Sequence, residues 1–359
     1  MKIAIVGIRG IPNSYGGFET LAEYLAIYLA SEVEMTVFCS SKDMKSDLKQ
    51  YNGATLKYVA VTSHGAMGMI YDSICIAKAV KSHDRVLILG FGAGFIMPLL
   101  KKYRKKIILN LGGLDWKRNK WSSFAQQVIK YSEQLLVKYS NQIVSDNTGI
   151  QKYLIEEYGR ESELIAYGGD QATKVHIDES DKEKYPFLSS DYAFAVTRIQ
   201  KDNNIDMIIE GFIPNNNIPL VIVGNWNNSE YGIKTKAKYE NMKNVYLLDA
   251  IYDQVKLDKL RSNCTIYLHG HSAGGTNPSL VEAMNLGLPI FCYASGYNEY
   301  TTQNKAVYFK NSNDLSQIIQ KYENYDLEKM GEDLQIIALK NYTWSEVTAK
   351  YKSVFLAEN

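Results

Sequence analysis

The run Gly274-Gly275-Thr276-Asn277-Pro278-Ser279-Leu280-Val281-Glu282-Ala283-Met284 is the part of this sequence best suited to hold an anion. Paired glycines let a backbone approach a ligand closely. Asn277 suits a helix cap and Pro278 the first helical position. Gly287 and Pro289 then stop the helix. The unpaired N–H groups at such a start, with the positive end of the helix dipole, attract phosphate. Glu282, just over a turn further in, offers a carboxylate to a vicinal diol such as a ribose. Together these features describe a site for a nucleoside diphosphate, although the same spacing fits an ordinary capped helix with a surface glutamate. Arg198 ends the strand-like run Ala193-Phe194-Ala195-Val196-Thr197. Ligands of open α/β sheets lie at the carboxyl ends of strands, where a guanidinium clamps phosphate.

Other chemistries fail on spacing. Gly7-Ile8-Arg9-Gly10-Ile11-Pro12 lacks the Gly-x-Gly pair that opens a dinucleotide fingerprint, and position 13 is Asn rather than a further Gly. The second strand ends Val37-Phe38-Cys39-Ser40, without the acidic residue that would hold a ribose there. No P-loop is present. His269-Gly270-His271 places two imidazoles on one strand face, but no third ligand is evident, so no metal is expected. No Asp-x-Asp metal–diphosphate clamp occurs.

These residues need a frame, and the hydrophobic pattern supplies one. Short apolar runs alternate with amphipathic stretches, which predicts doubly wound parallel sheets. Strands are expected at Lys2–Val6, Met35–Cys39, Thr55–Val61, Arg85–Leu89, Lys106–Leu111, Gln142–Ser145 and Glu163–Ala166. Helices are expected at Gly17–Ala30, Tyr71–Ser82, Ser122–Lys138 and Gly149–Glu157. The polar, aperiodic stretch 171–190 reads as a linker. A second series follows, with strands at Tyr192–Thr197, Leu220–Val223, Val245–Leu248, Thr265–His269, Pro289–Tyr293 and Ala306–Phe309. Two Rossmann-like domains result, 1–170 and 191–342. The capping box Thr343-x-x-Glu346 starts a last helix whose apolar residues need a partner, so 343–359 is assigned to the first domain.

Across 359 residues, 40 Lys+Arg balance 39 Asp+Glu, which argues against nucleic-acid binding. No run nears the roughly 18 apolar residues of a membrane span. Four scattered cysteines, Cys39, Cys75, Cys264 and Cys292, read as reduced thiols of a cytoplasmic protein.

The sequence resembles the retaining GT-B glycosyltransferases of family four. More narrowly, it is similar to a rhamnosyltransferase-like group of bacterial capsule and O-antigen clusters. The likeness rests on Gly7-Ile8-Arg9-Gly10-Ile11-Pro12-Asn13-Ser14-Tyr15-Gly16-Gly17-Phe18-Glu19-Thr20, on Gly113-Leu114-Asp115-Trp116-Lys117-Arg118, and on the segment from Leu260 through Ser279. It covers essentially the whole chain. The resemblance implies a GT-B fold, α/β with two Rossmann-like domains facing a cleft and a last helix crossing back. It implies a donor site at Arg198, Gly275, Thr276, Asn277, Pro278, Ser279 and Glu282. Gly16-Gly17 would approach from the first domain, and Asn225 and Tyr252 would flank the nucleotide. Arg9, Tyr15, Asp115 and Trp116 are assigned to the acceptor. Three positions depart from the family pattern. The first Glu of its Glu-x7-Glu motif falls on Gly274, its Lys after the Arg falls on Asn203, and an Asp common in the narrower group falls on Gly112.

The reaction this implies is metal-independent, retaining glycosyl transfer from a nucleotide sugar, with dTDP-rhamnose as the expected donor. Arg198, Asp115 and Glu282 are the residues assigned to catalysis, and no cofactor is expected. A non-hydrolysing nucleotide-sugar epimerase and a catalytically weakened binding protein stay open as alternatives. The cluster Lys101-Lys102-Tyr103-Arg104-Lys105-Lys106 reads as a membrane-facing patch. A lipid-linked saccharide acceptor at the inner face of the cell membrane is the expected partner.

Overall fold

Branched and aliphatic runs form the central strands, which are buried along nearly their whole length, whereas the outer strand Ala54–Val59 alternates buried and exposed residues. In the computed structural model, which describes residues 1–13, 16–117, 121–215 and 218–357, the chain forms two units. The first comprises Met1–Tyr167 and Trp344–Asn359, the second Gly168–Thr343.

The first unit holds β1 (Lys2–Val6), β2 (Glu34–Ser40), β3 (Gln50–Tyr51), β4 (Ala54–Val59), β5 (Arg85–Leu89), β6 (Ile107–Asn110), β7 (Gln142–Ser145) and β8 (Glu163–Leu164). Their order is β3-β4-β2-β1-β5-β6-β7-β8, parallel except for the short β3–β4 pair. The second holds β9 (Ala193–Val196), β10 (Leu220–Gly224), β11 (Val245–Asp249), β12 (Ile266–His269), β13 (Ile290–Tyr293) and β14 (Val307–Phe309), ordered β11-β10-β9-β12-β13-β14 and all parallel. Each sheet reverses direction of growth once, at β1|β5 and at β9|β12. Those are the topological switch points where open α/β sheets hold ligands. Both units are Rossmann-like, and the chain is α/β as expected.

Residues 171–190, which read as a linker, lie within the second unit. They include a helix at Glu179–Lys184, and Phe187 packs on Tyr192 and Tyr246 at 5.3 and 5.0 Å between ring centroids. With only a few inward residues in a polar stretch, no period is visible in the sequence. The helix expected from Tyr71 begins at Gly65, because Gly65 and Gly68 mask its first turn. A helix at Glu230–Tyr239 was not anticipated.

The last helix, Trp344–Leu356, is part of the first unit. Trp344 stacks on Tyr24 with centroids 4.1 Å apart. Asn110 Nδ2 donates to the Tyr351 hydroxyl at 2.6 Å, and Arg85 donates to the carbonyls of Phe355 and Ala357 at 3.1 and 2.7 Å. All four cysteines are free and buried. No helix among the described residues is long and apolar enough to cross a membrane.

Candidate active site

In the second unit, the loops at the carboxyl ends of β9 and β12 are tied together. Arg198 follows β9 and its side chain is exposed. Its carbonyl accepts from Asn203 Nδ2 at 2.6 Å, and Asn203 Oδ1 lies 2.7 Å from His271 Nδ1. Asn203 is buried, and Asn204 donates to the Gly270 carbonyl at 2.8 Å. Asn203, which stands where family four carries Lys, is therefore a clamp that fixes the backbone of Arg198 over the switch point. Gly270 is required there, since a Cβ would lie 2.2 Å from the Asn203 carbonyl oxygen.

Beyond β12, Gly274 and Gly275 turn the chain with φ of 59° and 79°. A Glu at 274 would have to adopt a left-handed conformation, which glycine takes without strain. The helix Pro278–Asn285 follows, with Asn277 as its cap: the side-chain oxygen accepts from Ser279 N at 3.0 Å, and Pro278 opens the first turn. Thr276 is buried, with its hydroxyl 3.4 Å from that of Thr301, so it supports the turn from beneath. Asn225 and Tyr252 are exposed beyond the carboxyl ends of β10 and β11.

Glu282 is not a bare surface carboxylate. Its Oε1 accepts from Gln171 Nε2 at 2.6 Å, and its Oε2 pairs with Nη1 of Arg261, a side chain with no exposed surface. Arg261 Nη2 reaches Asp258 Oδ1 at 2.6 Å, and Asp258 also accepts from Gln254 Nε2 and from Thr173 N. Burial opposes the charge on Arg261, yet Glu282 and Asp258 hold it protonated well above the ordinary range. Each Glu282 oxygen keeps acceptor capacity, because a carboxylate has about four lone-pair sites. Arg261 lies in the segment that carries the family resemblance, but nothing in the amino-acid pattern assigned a role to Arg261, Asp258 or Gln171. The i, i+3 spacing of Asp258 and Arg261 was the available signal.

His269 ends β12, buried and neutral, its pKa pushed down to about 3 by burial and then by His271. Its Nε2 has no hydrogen-bond partner among the described residues. The two ring centroids are 6.2 Å apart. Among the described residues, no group of His, Cys, Asp or Glu is placed to hold a metal ion.

In the first unit, Gly7 and Gly10 serve packing. A Cβ on Gly7 would sit 2.2 Å from the Leu89 carbonyl oxygen, and one on Gly10 2.8 Å from Cys39 Sγ. Gly16 caps the helix Gly17–Leu29 with φ of 113°. Glu19, in the first turn, accepts from Arg9 N at 3.1 Å, and its pKa is raised by burial. Arg9 Nη2 lies 3.0 Å from His64 Nε2. Asp115 and Trp116 begin a 3-10 turn after β6, at the same edge of the sheet as Arg9 but across β5 from it. The Trp116 ring lies under the ammonium groups of Lys130 and Lys117, at 4.7 and 5.3 Å. Lys130 is tied in turn to Tyr153 and Glu157, which anchors the Asp115 turn. Gly112 has φ of 63°, and a Cβ there would meet the tip of the Phe18 ring at 2.7 Å, so a side chain at this position would be strained and would displace that ring. Tyr15 and Arg118 lie outside the described residues.

Residues 1–170 match the family described as Domain of unknown function (DUF1972), and residues 177–335 match Glycosyl transferases group 1. No curated protein matches. Among solved structures, sucrose-phosphate synthase from Thermosynechococcus elongatus superposes with a TM-score of 0.82 at 13% identity, covering 99% of this chain and 98% of that one. HepE from Anabaena, in complex with UDP, gives 0.75 at 14% identity, covering 99% of both chains. The E. coli trehalose-6-phosphate structure bound with UDP-2-fluoro glucose gives 0.73 at 9% identity, covering 100% of both. The chain therefore has the GT-B glycosyltransferase fold, and the greater part of its second unit matches the glycosyl transferases group 1 model.

Proposed function

We propose that this chain moves a glycosyl group from a nucleoside diphosphate sugar to a saccharide hydroxyl. The observation that carries the reading is the tie, at the β9|β12 switch point, between the clamped Arg198 loop and Gly270-His271, which lead along the chain into the capped start of Pro278–Asn285. As the glycosyl–oxygen bond breaks, negative charge grows on the departing diphosphate. Arg198 and the positive dipole end of the helix Pro278–Asn285 receive it. The acceptor hydroxyl attacks the same face of the sugar and gives its proton to the departing phosphate oxygen, so configuration is retained without a protein nucleophile. Glu282 holds the ribose, and Asp115 orients the acceptor. Rhamnose from dTDP-rhamnose and a lipid-linked acceptor in surface polysaccharide synthesis follow from the resemblance of the Gly7–Thr20 and Leu260–Ser279 signatures. The UDP and UDP-glucose in the HepE structures make uridine nucleotides the first competitors.

A thermal-shift screen of dTDP, UDP, GDP and their sugars tests the donor, since a ligand of the folded state raises its melting temperature. Labelled sugar should then appear in a product larger than the donor. Label confined to an altered donor would mean an epimerase instead. Arg198→Ala should depress kcat by about 10²–10³ while leaving acceptor KM nearly unchanged. A change in acceptor KM alone would place Arg198 elsewhere.

A further inference from the structure

The segment Gly94–Lys106 is a run of 3-10 turns, where side chains three residues apart stand in one row. Gly94, Met97 and Leu100 make the inward, buried row. The two outward rows are Phe95, Pro98, Lys101, Arg104 and Ile96, Leu99, Lys102, Lys105. Both change from apolar to cationic at the same level. Leu99 is 79% exposed and Phe95 44%, and Lys101, Lys102 and Lys105 are exposed. The other two cations have structural partners. Lys106 Nζ donates to the carbonyls of Val80 and His83 at 3.1 and 2.7 Å, and Arg104 Nε to that of Ser140 at 3.4 Å.

Beside the apolar half runs a groove of about 360 Å³. Met69, Ile70, Ile74 and Ala77 of the helix Gly65–Ser82 form one wall, and Phe95 and Ile96 belong to the other. Phe95 also meets Tyr131 at 5.7 Å between centroids, and Ile70 and Tyr131 are each about half exposed. A folded protein seldom leaves so many large apolar side chains together in water without a partner.

We propose that this face docks on an anionic phospholipid bilayer, with Phe95 and Leu99 entering the acyl region and Lys101, Lys102 and Lys105 meeting headgroup phosphates. The order of the rows favours a bilayer over a protein surface, because hydrocarbon and charge are layered along a single axis. At about 2 Å per residue, Leu99 and Lys102 stand about 6 Å apart along that axis. An interfacial segment enters about 5–10 Å, so both layers are engaged at once. Lys106 and Arg104 belong to the fold rather than to the docking set. This inference stands on the surface of the first unit and is independent of the donor site.

The test is co-sedimentation of the full chain with phosphatidylglycerol vesicles and with phosphatidylcholine vesicles, each at low and high salt. Binding is expected on phosphatidylglycerol and is expected to weaken with salt. Replacing Lys101, Lys102 and Lys105 by Ser should reduce the partition about a hundredfold. The double variant Phe95→Ser, Leu99→Ser should abolish binding while the cations remain. A denaturant-unfolding transition of the first unit, unchanged in both variants, shows that they fold. No binding to phosphatidylglycerol, or equal binding by either variant, overturns the proposal. A concentration-dependent dimer in gel filtration that the Phe95/Leu99 variant loses would also overturn it, by making the face an interface between copies.

Discussion

Glu282 is the residue on which sequence and structure are most instructively combined. Its position inside the helix start was legible from Asn277-Pro278 and the glycines before them, because capping chemistry is local. Its partners were not, because Gln171 and Arg261 reach it from distant parts of the chain. A buried guanidinium left without one of its two carboxylates is costly, about 3–5 kcal/mol when a buried pair is broken. Glu282→Ala is therefore expected to lower stability as well as affinity. Glu282→Gln, which keeps the shape, is the cleaner probe. It should weaken nucleotide binding in calorimetry by about tenfold to a hundredfold, the worth of charge-assisted hydrogen bonds. UDP should suffer more than dTDP, which lacks the 2′-hydroxyl. Unchanged affinity for both would remove Glu282 from the ribose. His269 yields a second expectation. Its folded pKa of about 3 lies below the unfolded value of 6.5, so between these values the unfolded chain binds the extra proton. Stability is then full above pH 6.5 and falls as pH drops toward 3, by at most about 1.4 kcal/mol per pH unit. His83, also lowered by burial, acts in the same sense in the first unit. Urea titrations across this range should show a shallower slope for His269→Gln, and an unaltered slope would mean that the ring is not buried neutral.

Among the elements, strands were the easiest to read and 3-10 segments the hardest. Continuous runs such as Ala193–Val196 and Leu220–Gly224 announce buried parallel strands directly. The three-residue period of Gly94–Lys106 is hidden, because neither a 3.6 nor a 2.0 repeat fits it. The segment 171–190 shows no period in the sequence for a related reason: it is held by isolated backbone bonds, such as Val175 N to Ser262 Oγ at 3.1 Å, rather than by an amphipathic face. The helix Pro278–Asn285 has a close neighbour that no pattern shows. A Cβ on Gly169 would lie 2.5 Å from the Val281 carbonyl carbon and oxygen, so this strand of backbone runs directly against the helix. Gly169→Ala should force the two apart and destabilise the second unit by about 1–3 kcal/mol. Denaturant unfolding monitored in that unit measures the loss, and a wild-type midpoint would show that the contact yields freely.

At the scale of the whole molecule, the two-unit organisation was visible in the alternation of elements, and the return of the last helix was visible in the apolar residues Val347, Tyr351, Val354 and Phe355. What those residues touch was not visible. Trp344, Val347, Tyr351 and Phe355 are all buried in the first unit. Each large side chain of this kind contributes about 1.5–3 kcal/mol when fully buried, and a domain's entire margin is about 5–15 kcal/mol. Ending the chain at Thr343 should therefore unfold much of the first unit while the second stays resistant to protease. Equal protection of both would contradict the assignment. The division of the first unit also sets an order of events at the ribosome. Residues 168–343 emerge before the segment that completes residues 1–167, and at about 5–20 residues per second the first unit waits some ten seconds or more for its last helix. The second unit can fold meanwhile from one continuous stretch. During that interval the Tyr24 ring and the Asn110 amide stand exposed on the nascent chain, a surface for chaperones to hold until the helix closes over it.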